Sequence, residues 1–126
     1  DTMSHGRLLA WGLLVLMAAD LALALGNQSF LVWSGIALWG LHMAMTQGLL
    51  ATMIADVAPA DLRGTAYGFF NLLSGVAMLV ASVVAGLLWD AYGAAFTFLA
   101  GIGFSGLALL AILLRRGRSR NTAAAG

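Results

Sequence analysis

Clusters of polar and turn-forming residues divide the chain into four apolar runs, Leu8–Leu25, Phe30–Ala55, Thr65–Trp89 and Ala94–Leu114. The separators read GNQS (26–29), DVAPADLRG (56–64) and DAYG (90–93), and their Gly, Asn, Asp and Pro residues are those of turns. A helix needs about 20 apolar residues to cross a bilayer core of about 30 Å, and each run meets that length. Links this short make neighbouring helices antiparallel. The predicted fold is all-α: one polytopic membrane domain over residues 1–126, with spans at about 8–25, 30–55, 65–89 and 94–114. The polar, small-residue tail 117–126 is expected to be disordered and cytoplasmic. Arg7 and the ALALG stretch (22–26) imitate a secretory leader, but three further spans follow and the chain opens on Asp1, so a true span is expected.

Composition makes lipid the natural solvent. Of 126 residues, 62% are hydrophobic and 9% charged, with a mean hydropathy of +0.96, whereas a soluble domain carries about 25% charged residues. A small domain leaves much of its surface in water and has nowhere to hide so much apolar area. The net charge of +1 gives no general attraction to nucleic acid. Cysteine is absent, which removes disulfides and thiolate metal sites, and no nucleotide-binding loop occurs. No cofactor, metal or catalytic constellation is expected, and the chain does not read as an enzyme.

Arginine supplies orientation. Arg7 precedes the first run, Arg63 lies in the second link, and Arg115, Arg116, Arg118 and Arg120 follow the fourth run, while GNQS and DAYG hold no cation. All six cations therefore fall on one face, and cytoplasmic loops carry the excess of basic residues. Both termini are expected on the cytoplasmic side.

The four runs differ in character. The third places Gly64, Gly68, Asn71, Gly75, Ser82 and Gly86 within a stripe about 60° wide at roughly 100° per residue. Small residues let helix backbones approach closely in lipid, where the hydrophobic effect cannot drive association, so this stripe is expected to pack against protein. The fourth run is bulky, with a weaker small-residue line at Gly101, Ser105 and Ala108, and is expected at the periphery with one side to lipid. The first is expected to resemble it, apart from Asp20. A carboxylate within a span is a functional candidate by default, here as a proton-coupling group. Asp20 lies about 7–8 Å from the outer end at 1.5 Å per residue, which also suits a hydrated interfacial residue.

In the second run, Thr46, Trp39 and Gly35 fall within about 60° of His42, whereas Gln47 is about 140° away and groups with Gly40, Ala44 and Ala51. The first face is expected to line a solvated substrate pathway through His42, Thr46 and Trp39, or to bond a neighbouring helix through His42. The second is expected to be a packing stripe, with Gln47 as interhelical glue beside the same pathway. His42 is near mid-span, where an unpartnered imidazole needs water, a ligand or a neighbour, and imidazole is the side chain that changes charge near neutral pH. In the link DVAPADLRG, Pro59 is expected to stop one helix and Asp61 to cap the next. Asp56 and Arg63 bracket this turn and are expected to form a cytoplasmic gate ion pair.

The stretches APADLRGTAYGFFNLLSG (58–75), ASVVAGLLWDAYG (81–93) and TFLAG (97–101) resemble the last two helices of bacterial major facilitator superfamily transporters. The shared pattern is an acidic residue ending the tenth helix, a proline-bearing link, Arg-Gly opening a glycine-lined eleventh helix, and Gly-x-x-x-Asp-x-x-Gly leading into the twelfth. Here these are Asp56, Pro59, Arg63-Gly64, Gly86, Asp90 and Gly93. LWGLHMAMTQG (38–48) is similar to the tenth helix of one bacterial branch. The resemblance implies that the chain supplies the ninth to twelfth helices: outer, cavity-lining, interface and outer. The basic signature loop that precedes the ninth helix in the family is reduced here to Gly6-Arg7. It further implies a fragment of a secondary transporter in the inner membrane, with the substrate site between two halves. Its partners would be the lipid bilayer, the remaining helices, a small-molecule substrate and protons as candidate coupling ion. The alternatives are a complete four-helix exporter similar to the small multidrug resistance type, which relies on a glutamate where this chain has none, and a non-transporting membrane subunit.

Overall fold

The computed structural model describes residues 5–124, with side chains described through Arg115. Four helices follow one another: α1 (His5–Ala24), α2 (Ser29–Val57), α3 (Arg63–Tyr92) and α4 (Ala94–Ala124). All four are long and apolar enough to cross a membrane, α4 over Ala94–Arg115. The chain is all-helical, as its apolar periodicity predicts.

The helix ends have local causes. Gly26 N–H bonds the Leu23 carbonyl at 3.2 Å as α1 unwinds. Pro59 disfavours helical backbone at the residue before it, and Ala58 is extended at φ −82° and ψ 132°, so α2 stops at Val57. The cap of α3 is Leu62, with no side-chain hydrogen bond, rather than the expected Asp61. The link closes instead through the Leu62 N–H on the Pro59 carbonyl at 3.0 Å. Between α3 and α4 the chain reverses at Gly93, whose φ of +86° is a left-handed conformation costly for a residue with a Cβ.

Helix α1 lies between α2 and α4, α3 packs along α4, and α3 touches α2 near their link. Among the described residues α1 does not pack on α3, nor α2 on α4. The first helix is therefore the centre of the assembly, where the sequence suggested an outer helix. Glycine explains this: Gly12 of α1, Gly35 of α2 and Gly101 of α4 are notches filled by side chains of the facing helix. The third helix buries no residue at all. Leu72, Leu79, Leu87 and Phe69 remain more than half exposed, as suits surfaces whose solvent is lipid or further helices. The backbone of α4 continues as helix through Ala124. Arg and Ala are good helix formers, and the single Gly117 is tolerated within a helix. Residues 125 and 126 lie outside the described residues.

Candidate functional site

The seam between α1 and α2 is built around His42. Its Nδ1 lies 2.7 Å from the Gly12 carbonyl oxygen. A carbonyl only accepts, so Nδ1 carries the proton and donates. Thr46, one turn on, donates its hydroxyl to the His42 carbonyl at 2.8 Å, which turns its methyl group toward α1. A methyl added at Gly12 would stand 2.8 Å from Thr46 Cγ2. The absent Cβ of Gly12 thus makes room for both side chains. Two turns earlier, Leu23 of α1 fills the notch at Gly35, where an added Cβ would meet Leu23 Cγ at 2.6 Å.

These contacts place His42 and Thr46 against α1. Gly35 and Thr46 are buried and His42 is half-buried against α1, so this face is an interface between neighbouring helices. Trp39 stands at its edge, 49% exposed. Gln47 is exposed, and a Cβ added at Gly40 would meet nothing within 4 Å. Within these four helices the polar face of α2 meets α1, and the face with Gln47 and Gly40 is open. The reason lies on α1, where Gly12 offers an acceptor carbonyl at the depth of the imidazole.

The seam between α1 and α4 holds Asp20. The residue is 8% exposed, and a Cβ added at Gly101 would lie 2.6 Å from its Oδ2. The carboxylate therefore occupies the notch left by Gly101. Ser105, one turn away on α4, is buried as well. Of the small-residue line expected on α4, Gly101 meets α1 and Ser105 is buried, whereas Ala108 is exposed. Asp20 and Ser105, with Thr97, border an apolar groove of about 650 Å³ between α1, α3 and α4.

The expected ion pair of Asp56 with Arg63 is absent among the described residues; Asp56 Oδ2 faces His5 Nε2 at 3.7 Å. Antiparallel packing brings the start of α1 beside the end of α2, whereas Arg63 starts α3 beyond the turn. Both partners are about half exposed, so the pair is worth about 0–1 kcal/mol.

The stripe on α3 is bare. A Cβ added at Gly64, Gly68, Gly75 or Gly86 would meet nothing within 4 Å, and Asn71 and Ser82 are exposed. This helix turns its alanine face, Ala77, Ala81 and Ala85, toward the groove with α4. The sequence reading missed Tyr67, whose hydroxyl donates to the Ala51 carbonyl at 2.8 Å and ties α3 to α2. It missed Gly12 as well. The signal for Gly12 was His42 itself, a mid-span imidazole in need of an acceptor. Groups of three or more candidate metal ligands are absent among the described residues.

Comparison with known proteins matches the whole of residues 1–126 to the Major Facilitator Superfamily model. The chain is 32% identical over 82 residues to a human protein named lysosomal dipeptide transporter MFSD1, covering 65% of this chain and 18% of that protein. Its zebrafish (Danio rerio) counterpart is 30% identical over 110 residues, 86% of this chain and 24% of the relative. The uncharacterized MFS-type transporter YwfA of Bacillus subtilis is 32% identical over 86 residues, 68% of this chain and 20% of the relative. The chain thus spans about a fifth of the length of the curated relatives it matches. No solved structure matches it.

Proposed function

The chain belongs to the Major Facilitator Superfamily, and we propose that it forms the ninth to twelfth helices of a bacterial secondary transporter. The parent protein moves a small solute across the inner membrane by alternating access. The observation that carries this reading is the bare stripe of α3: six small or polar residues in line, with no neighbour at any of its four glycines. Such a stripe is half of a helix interface in lipid, and its other half belongs to the rest of the transporter. Both termini are cytoplasmic, on the strength of the arginine distribution.

The solute path in this proposal runs past the α2 face turned away from α1. Gln47 supplies hydrogen bonds there, Trp39 borders it as an amphipathic aromatic, and Gly40 leaves space. His42 and Thr46 hold the helix in place from behind. Protons are the proposed coupling ion. The test is flux in liposomes reconstituted with the full-length transporter containing this chain, under proton gradients of either sign. Labelled dipeptides open the solute panel, since the vertebrate relatives carry that name. Solute-dependent flux that Gln47→Leu reduces about tenfold at unchanged expression supports the reading. A full-length protein that moves no solute of the panel under either gradient overturns it.

A further inference from the structure

The groove between α1, α3 and α4 has walls of two kinds. Most of its lining is apolar, with the small residues Ala77, Ala81 and Ala85 at four-residue spacing on α3 and Ala100 on α4 set beside the bulkier Leu16, Leu88 and Phe104. Spacing of that sort admits another helix backbone rather than a side chain of this fold. Set into this wall is one charge-bearing group, Asp20, nine-tenths buried in the Gly101 notch. Among the described residues no hydrogen bond and no ion pair reaches its carboxylate.

Among the described residues no arginine pairs with Asp20. The chain's six arginines, at 7, 63, 115, 116, 118 and 120, all lie toward the opposite ends of their helices. Arg7 is thirteen residues from Asp20, roughly 20 Å along the helix at 1.5 Å per residue. Among the described side chains, the His42 imidazole is the charge-capable group that acts on Asp20, but its Nδ1 is committed to the Gly12 carbonyl and it makes no ion pair with the carboxylate. A carboxylate inside a membrane protein is retained where it is paired or lines a water-filled space.

We infer that this groove seats a further transmembrane helix of the same polypeptide, and that this helix presents an Arg or Lys side chain to Asp20. The inference rests on the transporter reading above. The relatives are about four to six times the length of the regions matched here, since those regions cover 18–24% of them, and a parent transporter of that size has ample chain outside residues 1–126. The seat is amphipathic in the sense the pairing requires: the alanines of α3 set the distance between backbones, and Asp20 sets register and rotation. A buried charge pair is well suited to fixing such a register.

The test uses the full-length transporter in its membrane. A diazirine-bearing leucine analogue is placed at Leu88, which lines the groove, and the photo-adduct is mapped by mass spectrometry. The expected adduct is a peptide of the same polypeptide outside residues 1–126 whose span contains Arg or Lys. An adduct with lipid, with solute, with a second copy of the protein, or with a span lacking a basic residue overturns the proposal. In parallel, Asp20→Asn is expected to lower the thermal midpoint by several degrees, and neutralising the mapped basic residue in the same protein to restore most of that loss, because removing one partner strands the other. An unchanged midpoint in Asp20→Asn overturns the pairing. A full-length protein that moves no solute strikes the transporter reading alone, and a lipid adduct in an active transporter strikes this inference alone.

Discussion

His42 of α2 donates from Nδ1 to the carbonyl oxygen of Gly12 in α1 at 2.7 Å, a side chain to backbone bond between two membrane-length helices. It depends on the residue at position 12 having no side chain, since a Cβ there would stand 3.7 Å from the ring nitrogen and 2.8 Å from Thr46 Cγ2. One residue's missing methyl group thus sets the approach of α1 to α2 and assigns His42 to packing.

The first prediction is a double-mutant cycle on this notch. Gly12→Ala is expected to destabilise the protein by about 1–3 kcal/mol, the usual cost of overpacking. Thr46→Ser removes the opposing Cγ2, and the pair Gly12→Ala with Thr46→Ser is expected to recover most of the loss. Thermal unfolding of the purified full-length transporter measures both. Strict additivity of the two changes would show that the helices do not meet here.

His42→Ala is expected to cost stability rather than transport. The lost interhelical bond is worth on the order of 0.6–2 kcal/mol in a membrane, read as a lowered thermal midpoint. Transport per folded molecule should stay within about twofold, half the shift that 0.8 kcal/mol would bring on a scale where 1.4 kcal/mol is tenfold. Near-complete loss of transport at unchanged stability would return His42 to the solute path.

Gly75 and Val76 are sequence neighbours on different faces of α3. If the rest of the transporter covers the glycine stripe, Gly75→Leu is expected to impair assembly or activity severely while Val76→Leu is tolerated. Expression level and flux, compared side by side, decide between them. Equal tolerance would mean that lipid covers the stripe.

Orientation is testable with single cysteines at Asn27 and Ala60, in a chain that has none of its own. An impermeant thiol reagent added outside intact cells is expected to label position 27 and spare position 60. Labelling of position 60 from outside would invert the topology.

Tyr67→Phe removes the hydroxyl bond to the Ala51 carbonyl and leaves the ring. With few other contacts between α2 and α3, the change is expected to loosen this link and cost about 0.6–1.7 kcal/mol. Protease sensitivity of the 58–62 segment in the purified transporter reads it out, and a cleavage rate equal to the parent's would assign the bond no role.

What the sequence by itself determined is the set of elements. Run length and turn residues delimit four spans because every backbone group in lipid must be bonded within its own helix, a local requirement. Pro59 ends α2 and Gly93 turns the chain into α4 for reasons confined to those residues. The motif from Arg63-Gly64 to Gly93 was likewise legible as a family resemblance, and the family match covers it. The choice of partner for each face came only from the tertiary structure. In lipid an apolar face toward a helix and one toward acyl chains have the same composition, so periodicity cannot tell them apart. The long glycine stripe of α3 finds no neighbour in this chain, whereas single glycines at 12, 35 and 101 become the seats of Thr46 with His42, Leu23 and Asp20. Each seat needs one residue on each of two helices at equal depth and facing rotation, a condition that exists only once the helices are placed side by side.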